Sequence, residues 1–173
     1  HSVRSVGGVR HTGHDDGRLQ GSGGRRDQRT CRRSASESRF YDVIGLDTNI
    51  LLRATLNDDT VQSPAAQQLL RSLGEEPGLV NLPVLMEFFW VLRSRYKLPQ
   101  ARLAAIMRDL VEVENLQFEA LEIVGKALAA FEARAADFPD MIIALRNREL
   151  GADSTYTFDK RAAASVPGME LLA

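Results

Sequence analysis

The sequence predicts an α/β fold: a small central, mainly parallel sheet with helices on both faces. Three observations carry this expectation. From Val43 onward, short apolar runs that stop at polar turns alternate with segments of helical period. Parallel strands joined by helical crossovers are covered on both faces, and so read as apolar runs rather than alternating ones. Acids stand where such runs end, at Asp47 and Asp159, and ligands in parallel α/β sheets gather beyond the carboxyl ends of strands.

Taken in order, Val43-Ile44-Gly45-Leu46 reads as a buried strand ending at the polar turn Asp47-Thr48-Asn49, after which Ile50, Leu51 and Leu52 begin a helical turn. Ser63-Pro64 suits an N-cap and first turn, opening a helix with Leu69, Leu70 and Leu73 on one side and Gly74 as its stop. Gly78-Leu79-Val80-Asn81 is a second short strand. Pro83 then starts a long helix to about Tyr96, with Val84, Phe88, Val91 and Arg95 at helical spacing and Leu85, Phe89 and Leu92 beside them. Pro99 opens another, holding Leu103, Ile106, Met107 and Leu110. Leu116-Gln117-Phe118 is a third strand, followed by helices at about 120–134 and 138–149, the latter closed by Gly151. Thr155 to Phe158 reads as a strand ending at Asp159, and Met169 to Leu172 as a last one. There is no internal repeat. No glycine-rich phosphate loop follows a strand, so a Rossmann or P-loop nucleotide site has no support.

Length and composition bound the function. A chain of 173 residues suits one compact domain, and 44% hydrophobic residues suffice for a core. No apolar run approaches the eighteen or so residues of a membrane helix, and no signal-peptide stretch is visible, so the expectation is a cytoplasmic protein without membrane contact. One cysteine, Cys31, rules out an internal disulfide framework or a multi-cysteine metal site. Residues 1–39 hold seven of the thirteen glycines, all three histidines and nine arginines against four acids, a surplus of five positive charges. With a net charge of −1 for the chain, the remainder carries −6. Such a glycine-rich, aperiodic segment cannot bury enough surface to offset its ordering entropy. We expect residues 1–40 to be a disordered, non-native tail and 41–173 to be the domain; the chain opens on His1, its first methionine is Met86, and Val43 is a candidate start. The bland reading of the tail outweighs a metal site at His11 and His14 or an arginine-rich arm for nucleic acid.

The chemistry lies in carboxylates: Asp47, Glu87, Asp140 and Asp159, with Asp137 as a fifth. Each has an ordinary explanation. Asp47 suits a turn cap, and Thr48 and Asn49 suit local hydrogen bonds that position its loop. Glu87 falls early in a helix, where negative charge is favoured. Asp137 and Asp140 suit an N-cap and third-position pair. Asp159 and Thr157 suit a strand end, and Phe88, Phe89 and Trp90 suit core. Arg93, Arg95 and Lys97 read as a solvated helix end, with phosphate contacts as the lesser reading. If the acids converge, two carboxylates about 5 Å apart repel by about 3 kcal/mol at an effective dielectric near 20, and a cation must intervene. Oxygen-only donors favour Mg2+ or Mn2+ over zinc. Such an ion also bridges an acidic pocket to an anionic polymer.

In order along the chain, Asp47-Thr48-Asn49-Ile50-Leu51-Leu52-Arg53, then Glu87 within Met86 to Leu92, then Ala136-Asp137-Phe138-Pro139-Asp140-Met141, then Thr157-Phe158-Asp159 resemble the PIN-domain family, most of all the VapC-type toxin nucleases of bacterial toxin–antitoxin modules. The resemblance covers nearly all of 43–173. It implies a PIN-like fold and hydrolysis of RNA phosphodiester bonds with Mg2+ or Mn2+. By position it implies metal held by Asp47, Asp140, Asp159 and Glu87, with Asn49, Thr48, Thr157 and Asp137 in support. It further implies a structured RNA such as tRNA as substrate, a small antitoxin as partner, and a homodimer. The segment 41–173 contains no histidine, so a histidine acid–base ribonuclease is excluded there. Rival readings are a PIN nuclease of RNA processing, a catalytically silent PIN scaffold, and a phosphatase with Asp47 as nucleophile. The last needs an acid two residues on, where the chain has Asn49.

Overall fold

Every strand among the described residues is short, and four of the five run within two residues into a helix with a polar or acidic residue at its N-cap or in its first turn. A computed structural model describes residues 43–74 and 76–172; the expectation for residues 1–40 lies outside them. The order is β1 (Ile44–Gly45), α1 (Thr48–Leu56), α2 (Gln62–Ser72), β2 (Gly78–Val80), α3 (Leu82–Ser94), α4 (Gln100–Val111), β3 (Leu116–Phe118), α5 (Leu121–Glu132), α6 (Phe138–Glu149), β4 (Thr155–Thr157), α7 (Lys160–Ser165) and β5 (Met169–Leu171). Among the described residues, seven helices and a small parallel sheet make this the expected α/β fold.

All pairings are parallel, in two ladders. β2 lies between β1 and β3, with Ile44 opposite Gly78 and Val80 opposite Phe118. β4 pairs only with β5, Tyr156 opposite Glu170. Gly78 is central to the first ladder for a steric reason. A Cβ there would meet side-chain methyls of Leu46 at 2.7 Å, Leu73 at 2.9 Å and Leu116 at 3.0 Å.

The helix starts largely follow local chemistry. Asn81 caps α3 by accepting from Val84 N, with Pro83 in the first turn, and Gly151 follows α6 at φ +94°, in the left-handed conformation that ends helices. One start differs from expectation. Ser63 does not cap α2; Asp59 does, its Oδ1 accepting from Val61 N and Gln62 N, while the buried Ser63 accepts from Asp59 N through Oγ. The serine lies inside the first turn because Asp59 accepts from amides ahead of it and opens the helix earlier, at Gln62. Helix α7 was not expected at all.

The core is built around α3, whose Leu85, Phe88, Phe89 and Leu92 are fully buried. Phe89 meets Phe131 of α5 edge-on at 5.2 Å and Phe138 of α6 at 5.0 Å. Aromatic pairs at such separations add to simple burial. The contact fixes where α6 begins, and with it the acids beside Phe138. Trp90 departs from the core reading: it is 63% exposed, because its place on α3 faces away from the buried stripe. No helix among the described residues is long and apolar enough to cross a membrane.

Candidate active site

Asp47 follows Leu46 at the end of β1 and is the N-cap of α1. Its Oδ2 accepts from the backbone and side-chain nitrogens of Asn49 at 3.5 and 3.3 Å, so Asn49 steadies this aspartate. Thr48 does something else. It is 4% exposed, and its hydroxyl donates to Glu87 Oε2 at 2.6 Å, across 39 residues of chain. The expectation that Thr48 serves only its own loop is corrected: α1 packs on α3, which puts Glu87 within its reach. Asp47 and Glu87 thus stand on two elements tied by one buried hydroxyl.

A second group lies where α6 and α7 begin. Asp137 is the N-cap of α6, accepting from Phe138 N at 3.1 Å, and Arg93 Nη1 holds both its oxygens at 2.7 and 2.5 Å. A carboxylate so engaged is a brace between α3 and α6. Arg93 is therefore no merely solvated residue. Asp140, third in α6, accepts no hydrogen bond among the described residues. Partial burial pushes its carboxyl above the usual carboxylate range, and the negative charges of Asp137 and Asp159 push further, against the opposing pull of Arg93 and Arg161. Asp159 is the N-cap of α7, Oδ1 accepting from Arg161 N at 2.7 Å and Ala162 N at 3.2 Å. Thr157 Oγ1 accepts from Asp159 N at 3.0 Å, setting the turn that aims this acid.

Asp137, Asp140 and Asp159 line one cleft of about 660 Å³, with Arg93, Arg134 and Arg161. Asp47 and Glu87 are not among its walls. Among the described residues no three acids, histidines or cysteines gather at ligand separation. The donors nevertheless suit Mg2+ or Mn2+. All are hard oxygens, and Asp140 is held among like charges that a cation would relieve. Mg2+ needs only one or two carboxylates, keeping waters and taking substrate phosphate for the rest.

Sequence reasoning passed over Arg134 and Arg161. The signal for Arg161 was present: Asp159 before Lys160-Arg161-Ala162-Ala163-Ala164 is an N-cap before good helix formers. Arg134 had none, since it comes to the cleft through the packing of α5.

The described residues thus form an α/β domain with acids at strand ends and helix starts, three of them on a cleft that arginines also line. The chain belongs to the PIN domain family, whose model matches residues 44–167. PIN domains are generally nucleases and generally use divalent metal ions. No curated protein matches the chain closely enough to count as a relative.

Proposed function

We propose that this protein is a metal-dependent endoribonuclease, the toxin of a VapBC-type toxin–antitoxin module. The observation that carries the reading is Asp140, raised by burial and by its acidic neighbours, on the wall of a cleft within the PIN segment. When bound, Mg2+ or Mn2+ supplies stabilisation of phosphoryl charge and an activated water. The sequence resemblance assigns it to Asp47, Asp140, Asp159 and Glu87; Asp140 and Asp159 line the cleft, and Asp47 and Glu87 stand outside its walls. Around them the chain positions rather than reacts: Asn49 orients Asp47, Thr48 orients Glu87, and Thr157 sets the turn of Asp159. Arg93 holds Asp137 at the head of α6, so that Asp140 faces the cleft without a cation of its own.

The sequence resemblance supports a structured RNA such as tRNA as substrate, with an antitoxin and a second copy of the chain as partners. Purified protein should cleave RNA with Mg2+ or Mn2+, stop with chelator, and lose activity as Asp47→Asn and as Asp140→Asn. Cleavage undiminished in both variants would remove the site assignment. Expression should arrest growth, and a small protein encoded beside this one should relieve it. An active nuclease whose expression is harmless belongs instead to RNA processing.

A further inference from the structure

We infer that Arg134 and Arg161 grip the phosphate backbone of the RNA strand that enters the cleft beside Asp140 and Asp159. This rests on the ribonuclease reading, and adds to it the residues that hold substrate. The segment beyond residue 39 carries a charge of −6. RNA therefore approaches a repelling surface, and local cations must hold it. Three arginines reach the cleft. Arg93 is committed to Asp137 through both carboxylate oxygens. Arg134 and Arg161 make no ion pair and no side-chain hydrogen bond among the described residues. A guanidinium without a carboxylate partner offers its fork to a phosphate, in the two-pronged geometry it prefers.

Position argues the same way. The backbone N–H of Arg161 is bound to Asp159 Oδ1, so its side chain starts beside an acid of the site. Arg134 follows the end of α5 at φ +56°, in the left-handed region that glycine occupies without steric cost and that side chains usually avoid. Backbone stability alone would favour glycine there; an arginine at that point places a cation on the cleft wall. The two come from separate elements, after α5 and in α7, and both line a cleft of about 660 Å³, a size that encloses a small ligand or a section of a single strand.

The test uses the full chain and a fluorescein-labelled single-stranded RNA of about twelve nucleotides and mixed sequence. Anisotropy is followed from about 50 to 300 mM salt, with Ca2+ in place of the catalytic ion. Arg134→Gly and Arg161→Gln should each weaken binding about tenfold and lower the salt slope by about 0.7, the value for one phosphate contact on a single strand. Arg161→Lys should restore the slope, and Arg148→Gln, remote from the cleft, should leave it unchanged. Arg134→Gly should melt no lower than the parent, separating loss of grip from loss of fold. Unchanged affinity and slope in both variants overturn the inference. Cleavage assays in parallel separate the two readings. A parent that cleaves RNA while both variants bind it normally loses only the grip. A parent that binds through these arginines and never cleaves loses only the ribonuclease. A parent that binds no RNA loses both.

Discussion

Asp140 sits at the third position of α6, where an ionised acid would ordinarily be welcome to the helix, yet its carboxyl titrates above the usual range. Partial burial and the charges of Asp137 and Asp159 outweigh the opposing pull of Arg93 and Arg161. A carboxylate whose pKa is raised on folding weakens the fold when charged. The penalty is fully present above the folded pKa and disappears as pH falls through that value toward the unfolded one, near 3.8. Asp140→Asn should therefore melt higher than the parent at neutral pH, with the advantage shrinking as pH falls toward 4, and cleavage should drop about 100-fold or more, as for loss of a group stabilising charge at the reacting centre. Thermal melts across pH decide it; an asparagine variant less stable at neutral pH would show that the charge is not under strain. Thr48→Val tests the neighbouring link. Removing the hydroxyl leaves Glu87 without its donor, at a cost of about 1 kcal/mol, with cleavage reduced about tenfold and recovered in Thr48→Ser.

Among the elements, β2 and α6 matter most for placing the acids. β2 is the middle strand of its ladder, and a Cβ at Gly78 would crowd three leucine methyls at 2.7 to 3.0 Å, which would have to move aside. Gly78→Ala should cost about 1–2 kcal/mol through overpacking, read as a lower denaturant midpoint with unchanged slope. A parent-like midpoint would mean the leucines simply turn aside. Phe138 anchors α6 on Phe89 immediately after Asp137. Phe138→Ala should lose about 3–5 kcal/mol and, at temperatures where it stays folded, should also lose activity, because the helix that carries Asp140 is no longer held. Much at this scale was legible in the sequence. Asn81-Leu82-Pro83 and Gly151 announce a helix start and a helix stop through chemistry confined to a few residues. Ser63 misled because Asp59, four residues upstream, accepts from Val61 N and Gln62 N and starts the helix before the serine. Helix α7 escaped because six residues, half of them alanine, show no apolar period.

For the whole molecule, what could be read from the sequence and what could not divide along contact range. Asp47 and Asp137 announce themselves locally, each as the cap of the helix it precedes, and Asp159 as the end of a strand. Thr48 finding Glu87, Arg93 finding Asp137, and β4 pairing with β5 alone all depend on chain segments far apart, and no local pattern encodes them. The same long-range assembly stores a testable energy. Folding brings Asp159 to the neighbouring pair Asp137 and Asp140, whereas the unfolded chain leaves it apart from them in water. A cation that binds the assembled acids therefore stabilises only the folded state, by about 1.4 kcal/mol at tenfold excess over its dissociation constant. Added Mn2+ or Mg2+ should raise the melting temperature in a saturable way, chelator should reverse the rise, and Asp140→Asn should lose most of it. Potassium chloride at equal ionic strength separates site binding from general screening, since screening acts on all surface charges and does not saturate at one site. A melting temperature that answers equally to potassium and to Mn2+ would leave the acids as ordinary helix caps, and the metal without a home in this fold.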